Sequence, residues 1–234
     1  MFQFVEEEEL EVDVSNLTIY EQAVSYPPRG WESVFEKCHL ELEIISEIVE
    51  KHGEYYPNPN DLYRAFRMIP LNKVRVVFLG QSPYPSKTNA CGMSFSTRGP
   101  VAATLRNIYK ELKRQYDDFV IPKHGDLSEW AFQGVLLLNS TLTYFPNETS
   151  INKREFWTPF IVKIIKSICD VNPKCIFVLW GNHAKTFKQR ITTERILEGV
   201  HPSPNAQGFI GCGHFERINE MLREDCEPQI DWRL

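Results

Sequence analysis

Four short apolar runs of the sequence each lead into a cluster of polar and aromatic residues. The runs are VRVVFL at 74–79, VLLLN at 135–139, CIFVLW at 175–180 and RILEGV at 195–200, and the clusters are GQSPYP, NSTLTY, WGNH and HPSPNA. They contain an amide at Asn139, an aromatic ring at Tyr84 and an imidazole at His201, and a second aromatic ring, Phe95, follows ten residues after the first cluster. An amide donates and accepts side by side, rings form flat walls, and histidine can meet a developing charge. This set suits a planar, polar, uncharged ligand such as a nucleobase.

The segments between the apolar runs predict the fold that brings these clusters together. Apolar residues recur at intervals of three and four in TLRNIYKELKRQY at 104–116 and in REFWTPFIVKIIKSICD at 154–170. Strands that alternate with helices imply a parallel sheet covered on both faces. We therefore predict a single α/β domain with a central, mainly parallel, four-stranded sheet. The carboxyl ends of its strands should meet at one edge, where open α/β sheets bind ligands.

The charge distribution divides the chain into two parts. Residues 1–28 hold seven acidic residues and no Lys or Arg, whereas 26 basic residues face 24 acidic ones from Arg29 onward. We interpret residues 1–28 as a solvated acidic tail and residues 29–234 as the folded domain, which is near neutral and can still have a local basic face. A helix is predicted from Trp31 to a stop at Gly53, and Thr104 is a candidate helix cap.

Composition limits the class of protein further. The chain has 234 residues, 42% of them hydrophobic, and a formal charge of −5. No apolar run approaches the roughly 20 residues of a membrane span, and MFQFVEEEEL lacks the features of a secretory signal. The six cysteines lack paired spacing, so we expect reduced thiols and an intracellular location. The pair Cys212 and His214 is interpreted as structural, and no metal is predicted.

Several segments, taken in their order along the chain, resemble one known family. GQSPYP, GVLLLN, VLWG and HPSP, supported by HGDLSEWA, NIYKEL and IDW, are similar to the motifs of the uracil-DNA glycosylase family, in its uracil-N-glycosylase branch. The likeness extends from about Trp31 to Trp232. It implies the glycosylase fold and hydrolysis of the N-glycosidic bond of deoxyuridine in DNA, which starts base-excision repair. It also implies that no cofactor is needed. The location would be the nucleus in a eukaryote or a nuclear virus, and otherwise the cytoplasm.

The resemblance implies a role for each matching residue of the base pocket. The backbone beside Gln81 and the amide of Asn139 would bind the uracil edge, and Phe95 would stack on the ring. Tyr84 would crowd the ring carbon that bears the methyl group of thymine. His201 would hydrogen-bond a uracil carbonyl as the glycosidic bond breaks and so stabilise the departing anion.

The resemblance also implies contacts with a DNA strand whose base is flipped out. Thr104, Asn182 and Ser203 lie where the family grips the DNA backbone, and short polar side chains suit phosphate contacts. Asn205 stands where the family has a leucine that wedges into the duplex, within a shorter loop. Since an amide is a poor apolar wedge, we expect single-stranded DNA to be favoured over double-stranded DNA.

Two residues of the first cluster depart from the family. Ser82 stands where the family has an aspartate that holds the attacking water and stabilises the cationic sugar, and Pro85 replaces a histidine. A neutral serine is a poor base, and loss of a positioned base costs about 10²–10⁴-fold in rate. Residues 80–100 contain no carboxylate, which leaves Glu148 as a more distant candidate.

Two hypotheses therefore remain open. One is a glycosylase of reduced activity in which Ser82 holds the water weakly and His201 assists departure of the base. The other is an inactive homologue that binds uracil-containing or abasic DNA as a repair or replication scaffold. Phe95 as ordinary core, Asn139 as a turn cap and His201 as a core histidine remain alternatives too. We expect a monomer, and a replication or repair protein as a possible partner of the acidic tail.

Overall fold

The computed structural model describes residues 12–148, 150–153 and 155–234. Within these ranges the chain forms helices α1–α9 and strands β1–β4. The helices are α1 Ile19–Ser25, α2 Glu32–Lys37, α3 His39–His52, α4 Arg64–Arg67, α5 Ala103–Gln115, α6 Ser128–Phe132, α7 Thr158–Val171, α8 Asn182–Lys185 and α9 His214–Glu224. The strands are β1 Val76–Gly80, β2 Val135–Asn139, β3 Ile176–Trp180 and β4 Ile196–Gly199. Short 3-10 turns cover Pro59–Asp61, Leu71–Lys73, Ile151–Lys153 and Lys188–Arg190.

The four strands form one parallel sheet in the order β2-β1-β3-β4. Every residue of β1, β2 and β3 is buried, as their continuous apolar sequences require in a sheet covered on both faces. At the carboxyl edge Gly80 is paired with Asn139, and Trp180 with Gly199. The predicted sheet is confirmed, and the register places the four polar clusters along one edge.

Aromatic side chains tie the helices to this sheet. Phe78 of β1 contacts Trp130 of α6, Phe215 of α9 and Trp232 near the C-terminus, with ring centroids 6.1–6.4 Å apart. In a second cluster, Phe35 of α2 contacts Phe160 of α7 edge to face at 5.5 Å. Aromatic pairs stabilise a core beyond the burial of their area alone, so these contacts strengthen the packing of α6 and α9 on the sheet and of α2 on α7.

The predicted boundary of the acidic tail at residue 28 is wrong. Helix α1 lies inside that stretch and begins with a complete capping box between Thr18 and Glu21. Val14, Ile19 and Ala23 are buried, and α1 packs against α3. The fold thus includes these residues because their apolar side chains find a partner helix. The glutamates at 6–9 lie outside the described residues.

Two predicted helix boundaries also need correction. The helix predicted over 31–53 is divided at Cys38, which ends α2 and precedes α3 with a backbone ψ of 10°. Its end at Gly53 is confirmed. Thr104 is not the cap of α5, because the extended residue Ala102 precedes the helix and Thr104 lies in its first turn. In this position Thr104 does not cap the helix, and it lines a cavity.

Three further features concern chemistry away from the sheet edge. Across the described ranges, no helix combines the length and apolar character that a membrane crossing requires. All six cysteines are free thiols, and four of them are buried. The same ranges contain no cluster of three or more His, Cys, Asp or Glu side chains arranged to hold a metal ion.

Candidate active site

A cavity of about 190 Å³ opens at the carboxyl edge of the sheet. Pockets for drug-sized ligands have volumes of roughly 300–1,000 Å³. This cavity is smaller, and its size is suited to a single small ring. Its lining comes from the loop after β1, from the ends of β2 and β4, and from the first turn of α5. The lining residues are Gly80, Gln81, Ser82, Pro83, Tyr84, Pro85, Ala90, Cys91, Gly92, Met93, Phe95, Thr104, Asn139 and His201.

The polar groups of the cavity converge on its interior. Asn139 is buried at the end of β2, and Gly80 opposite it has no side chain to obstruct it. A Cβ atom at Gly80 would lie 2.4 Å from Oδ1 of Asn139, so only glycine permits this approach. Among the described residues, the side chains of Ser82, Asn139 and His201 have no hydrogen-bond partner. Their polar atoms are therefore available to a ligand.

Phe95 is held in an unusual backbone conformation. Its φ is +63°, a region that costs a non-glycine residue about 1–3 kcal/mol and persists only when neighbours fix it. The fixing contacts are hydrogen bonds on either side: the Ser94 amide donates to Leu137 O, and the Ser96 hydroxyl donates to Gly125 O. The ring packs edge to face on Trp180 with centroids 5.6 Å apart. The aromatic wall is thus set before any ligand arrives.

Tyr84 forms a second rigid wall. Its hydroxyl donates a hydrogen bond of 3.2 Å to the carbonyl oxygen of Phe95, which joins the two aromatic residues. Burial raises the pKa of the Tyr84 phenol well above its usual value, so the group stays neutral. A neutral, pinned phenol limits the width of the cavity and adds no charge to it.

His201 lies at the start of the loop after β4, with its ring 6.3 Å from that of Phe95. Its neighbour Gly181 has a φ of +90°, and a Cβ atom there would lie 2.9 Å from Cβ of His201. Burial lowers the pKa of His201 below its usual value of 6.5, so the imidazole is neutral at pH 7. A neutral imidazole can donate one hydrogen bond to an oxygen that becomes negative.

Behind the cavity, a set of hydrogen bonds fixes the backbone at Gln81. The carbonyl oxygen of Gln81 accepts from the Thr141 amide at 2.9 Å and from the Ser140 hydroxyl at 3.0 Å. The Ser140 hydroxyl also lies 2.7 Å from Nε2 of His183. Since Ser140 donates to Gln81, it accepts from His183, whose Nε2 then bears the proton. The loop after β1 is therefore anchored to the loops after β2 and β3.

The predicted DNA-contacting residues differ in where they lie. Thr104 lines the cavity, whereas Asn182, Ser203 and Asn205 lie outside the lining. Asn182 begins α8 and is exposed, as is Asn205, while Ser203 is half-buried. Of these four residues, therefore, Thr104 alone belongs to the lining of the cavity.

One carboxylate left open from the sequence lies outside the cavity lining, and two lining residues were not identified from the sequence. Glu148 does not line the cavity, and its Oε2 lies 2.6 Å from Nδ1 of His52. Among the described residues, none that lines the cavity carries a carboxylate. Cys91 and Met93, by contrast, line the cavity without having been singled out. Their place in the loop that leads to Phe95 was the available signal.

Stability is expected to fall in mildly acidic solution. Burial lowers the pKa values of His183, His201 and His214, and Nδ1 of His214 accepts a hydrogen bond from the Trp180 indole. Because the unfolded chain takes up protons near pH 6.5 and the folded chain resists them, the free energy of unfolding should decrease below that pH. Urea unfolding at about pH 7.5 and about pH 5.5 measures this. His214→Gln should show a smaller decrease, and a midpoint that is constant or rises on acidification would contradict the expectation.

Comparisons with known proteins agree with this arrangement. A family model, the uracil DNA glycosylase superfamily, matches residues 66–223. The uracil-DNA glycosylase of Proteus mirabilis is 39% identical over 220 residues, which cover 88% of this chain and 97% of that protein. The Homo sapiens uracil-DNA glycosylase is 39% identical over 189 residues, or 78% of this chain and 60% of that one. The crystal structure of mimivirus uracil-DNA glycosylase has a TM-score of 0.81 at 29% identity, with 92% of this chain and 89% of that chain covered. The chain belongs to the uracil-DNA glycosylase family.

Proposed function

We propose that this protein hydrolyses the N-glycosidic bond of deoxyuridine in DNA, at a reduced rate, and so starts base-excision repair. The observation that supports this most strongly is the convergence of Phe95, Asn139 and His201 on one small cavity. Stacking, edge pairing and a neutral hydrogen-bond donor are what release of a planar base requires. Family membership supports the same reaction.

In the proposed reaction, a flipped uracil enters the cavity and stacks on Phe95. The Asn139 amide pairs with its edge, and Tyr84 excludes a ring that bears a methyl group. The bond between the sugar C1′ and the base N1 breaks, and its electron pair stays on the base. His201 donates a hydrogen bond to the uracil oxygen on which the negative charge develops. Water then adds to C1′ and loses one proton to the solvent, from which the uracil anion takes one up, so the products are an abasic site and neutral uracil.

Ser82 accounts for the reduced rate in this proposal. Its hydroxyl can orient a water molecule but is neutral at pH 7, so it neither removes a proton readily nor stabilises a cationic sugar. The cavity lining offers no carboxylate in its place, and Glu148 is engaged with His52. The rate would then depend on departure of the base, which His201 assists.

The same absence of a carboxylate favours a second candidate function. The protein would bind uracil-containing or abasic DNA without cleavage and act as a scaffold in repair or replication. Asn139 and Phe95 would then serve recognition alone. The two functions differ in one result, because only the enzyme liberates free uracil.

We propose contacts with the DNA backbone from Thr104, Asn182 and Ser203 around the mouth of the cavity. Action as a monomer is part of the same proposal. Free buried cysteines support an intracellular setting, in whichever compartment holds the DNA that it repairs. A partner bound by the acidic residues at 6–9 is part of the same proposal.

Single-stranded DNA is expected to be the better substrate. Asn205 is exposed on the loop after His201, where an apolar side chain would be needed to fill the gap left by a flipped base. Asn205→Leu should therefore raise activity on duplex DNA, about tenfold, with little change on single strands, since unstacking costs a few kcal/mol in a duplex. Matched single- and double-stranded oligonucleotides measure the ratio. Equal gains on both substrates would contradict the wedge explanation.

The proposed substrate is tested with four single-stranded oligonucleotides that differ only at one central base. Wild-type protein should create alkali-sensitive abasic sites where the base is uracil and leave thymine, cytosine and adenine intact. Release of another base at a comparable rate would contradict the assigned selectivity of Tyr84 and Asn139.

A further inference from the structure

Helix α5 holds both ends of the loop that follows His201. Nδ2 of Asn107 donates a hydrogen bond of 3.1 Å to the carbonyl oxygen of Pro202. One helical turn further on, the carboxylate of Glu111 accepts from the amide of Gly211 at 2.6 Å and from that of Gly213 at 3.0 Å. Residues four apart on a helix lie on one face, about 5–6 Å apart. The loop therefore leaves α5 and returns to it at neighbouring side chains.

Glu111 is fully buried, which is unusual for a carboxylate. Burial by itself would raise its pKa, but hydrogen bonds from Arg114 and from the Gly211 and Gly213 amides outweigh this, and the pKa of Glu111 is lowered. The Arg114 guanidinium binds both carboxylate oxygens at 3.0 Å. The buried charge is thus compensated, and the loop amides supply part of that compensation.

The loop between these two anchors faces solvent where it would meet DNA. Asn205, Gln207 and Gly208 are exposed, whereas Phe209 is buried edge to face against Trp180 at 4.9 Å. Compact loops with adjacent ends of this kind are packed by their own contacts and are frequently functional. Here Phe209 and the amides of Gly211 and Gly213 are held by the core and by Glu111, whereas the exposed portion lies at 204–208.

We propose that Asn107 and Glu111, together called the loop clasp, are positioning residues that hold His201 and the DNA-contacting loop in their active geometry. Asn107 acts on the end next to His201, and Glu111 acts on the end next to the exposed portion. This inference rests on the proposed function, since the loop is positioned for a DNA strand.

If Glu111 served only global stability, its loss would lower the stability of the whole fold and would not loosen the loop in particular. Phe215 and Ile218 already fix the start of α9 in the core, where both are buried. These apolar contacts do not involve the side chain of Glu111. Its two amide contacts act on the loop, so its loss should loosen residues 203–213 more than it lowers global stability.

The test uses Glu111→Gln, which keeps the shape of the side chain but places an NH₂ group opposite one of the amides. Asn107→Ala removes the contact at the other end. Glu220→Gln is the matched control, since Glu220 is an exposed partner of Arg217 on α9 and lies outside the clasp. Each full-length variant is measured for hydrogen exchange of residues 203–213, urea midpoint, binding of a single-stranded uracil oligonucleotide, KM and kcat.

Glu111→Gln should speed hydrogen exchange of the loop, raise KM about tenfold and weaken DNA binding about tenfold. Its kcat should stay within about twofold of the wild-type value. Asn107→Ala should instead lower kcat by about tenfold, because it acts next to His201. The control should match wild type throughout. Unchanged exchange, or unchanged DNA binding by a folded Glu111→Gln variant, would overturn the inference.

The failure of this inference is distinguishable from failure of the proposed function. A wild-type chain that binds no uracil-containing DNA would overturn the proposed function. Wild-type binding that the Glu111→Gln variant retains in full would overturn the loop clasp alone. Hydrogen exchange and binding need no turnover, so they apply to the non-cleaving alternative too.

Discussion

Replacement of Ser82 by aspartate is expected to raise the rate of uracil release from single-stranded DNA by about 10²–10⁴-fold, the range that a positioned base contributes. A carboxylate at this position would hold the attacking water as an acceptor and face the cationic sugar. The lining contains no other carboxylate, so the new charge has no like-charged neighbour there to raise its pKa. The Ser82 side chain is exposed and without a hydrogen-bond partner among the described residues, so the change needs little repacking.

The measurement is single-turnover release of uracil by wild type and variant, with enzyme in excess. Ser82→Asn is the matched control, because its side chain has the shape of aspartate and lacks the charge. It should stay within about tenfold of wild type, since it restores neither the base nor the Coulomb attraction. A gain with asparagine as large as that with aspartate would show that shape, and not charge, limits the reaction. No gain with aspartate would contradict the role given to position 82.

Truncation of His201 to alanine is expected to lower the rate of uracil release by about 10²–10³-fold, the usual loss when one donor to a developing oxyanion is removed. His201 is the one imidazole that lines the cavity among the described residues. Its ring nitrogens have no hydrogen-bond partner within those residues, so they are available to a substrate. The loss should appear in kcat more than in KM, because the oxyanion exists only as the bond breaks.

The control for this variant is His201→Gln, whose amide is a neutral donor and should restore part of the rate. Burial lowers the pKa of His201, so wild-type activity should persist to a lower pH than an ordinary histidine pKa of 6.5 would allow and should decrease on further acidification. A rate that rises on acidification through this range would show that the charged imidazolium is the active form. Full activity of His201→Ala would contradict the proposed mechanism outright.

The sheet could be predicted from sequence because its strands are continuous apolar runs of the length that buried parallel strands need. The common location of the polar clusters then follows from topology, since parallel strands end at one edge of the sheet. Seven of the ten candidate residues line the cavity: Gln81, Ser82, Tyr84, Phe95, Thr104, Asn139 and His201. Their roles in chemistry were not accessible from periodicity and came from the resemblance.

Other features depend on contacts that no local pattern records. Helix α1 lies in an acidic stretch, and its few apolar residues become significant only against α3. The positive φ of Phe95 is imposed by hydrogen bonds to β2 and to the loop at Gly125. Glutamate is rarely buried on a helix, yet Glu111 is fully buried and its carboxylate accepts a hydrogen bond from the amide of Gly211, a hundred positions away in the sequence. Long-range contacts of this kind override local preferences.

The most direct test of the central claim is the liberation of free uracil by the wild-type chain from a single-stranded oligonucleotide with one deoxyuridine. Protein in excess and prolonged incubation allow a slow enzyme to be seen, and His201→Ala purified in parallel controls for contaminating glycosylase. The account predicts slow release by wild type, first-order in time, that the His201→Ala variant loses. Tight binding of the same oligonucleotide by wild type, without release above the His201→Ala background, would contradict it and identify a uracil-binding protein that does not cleave.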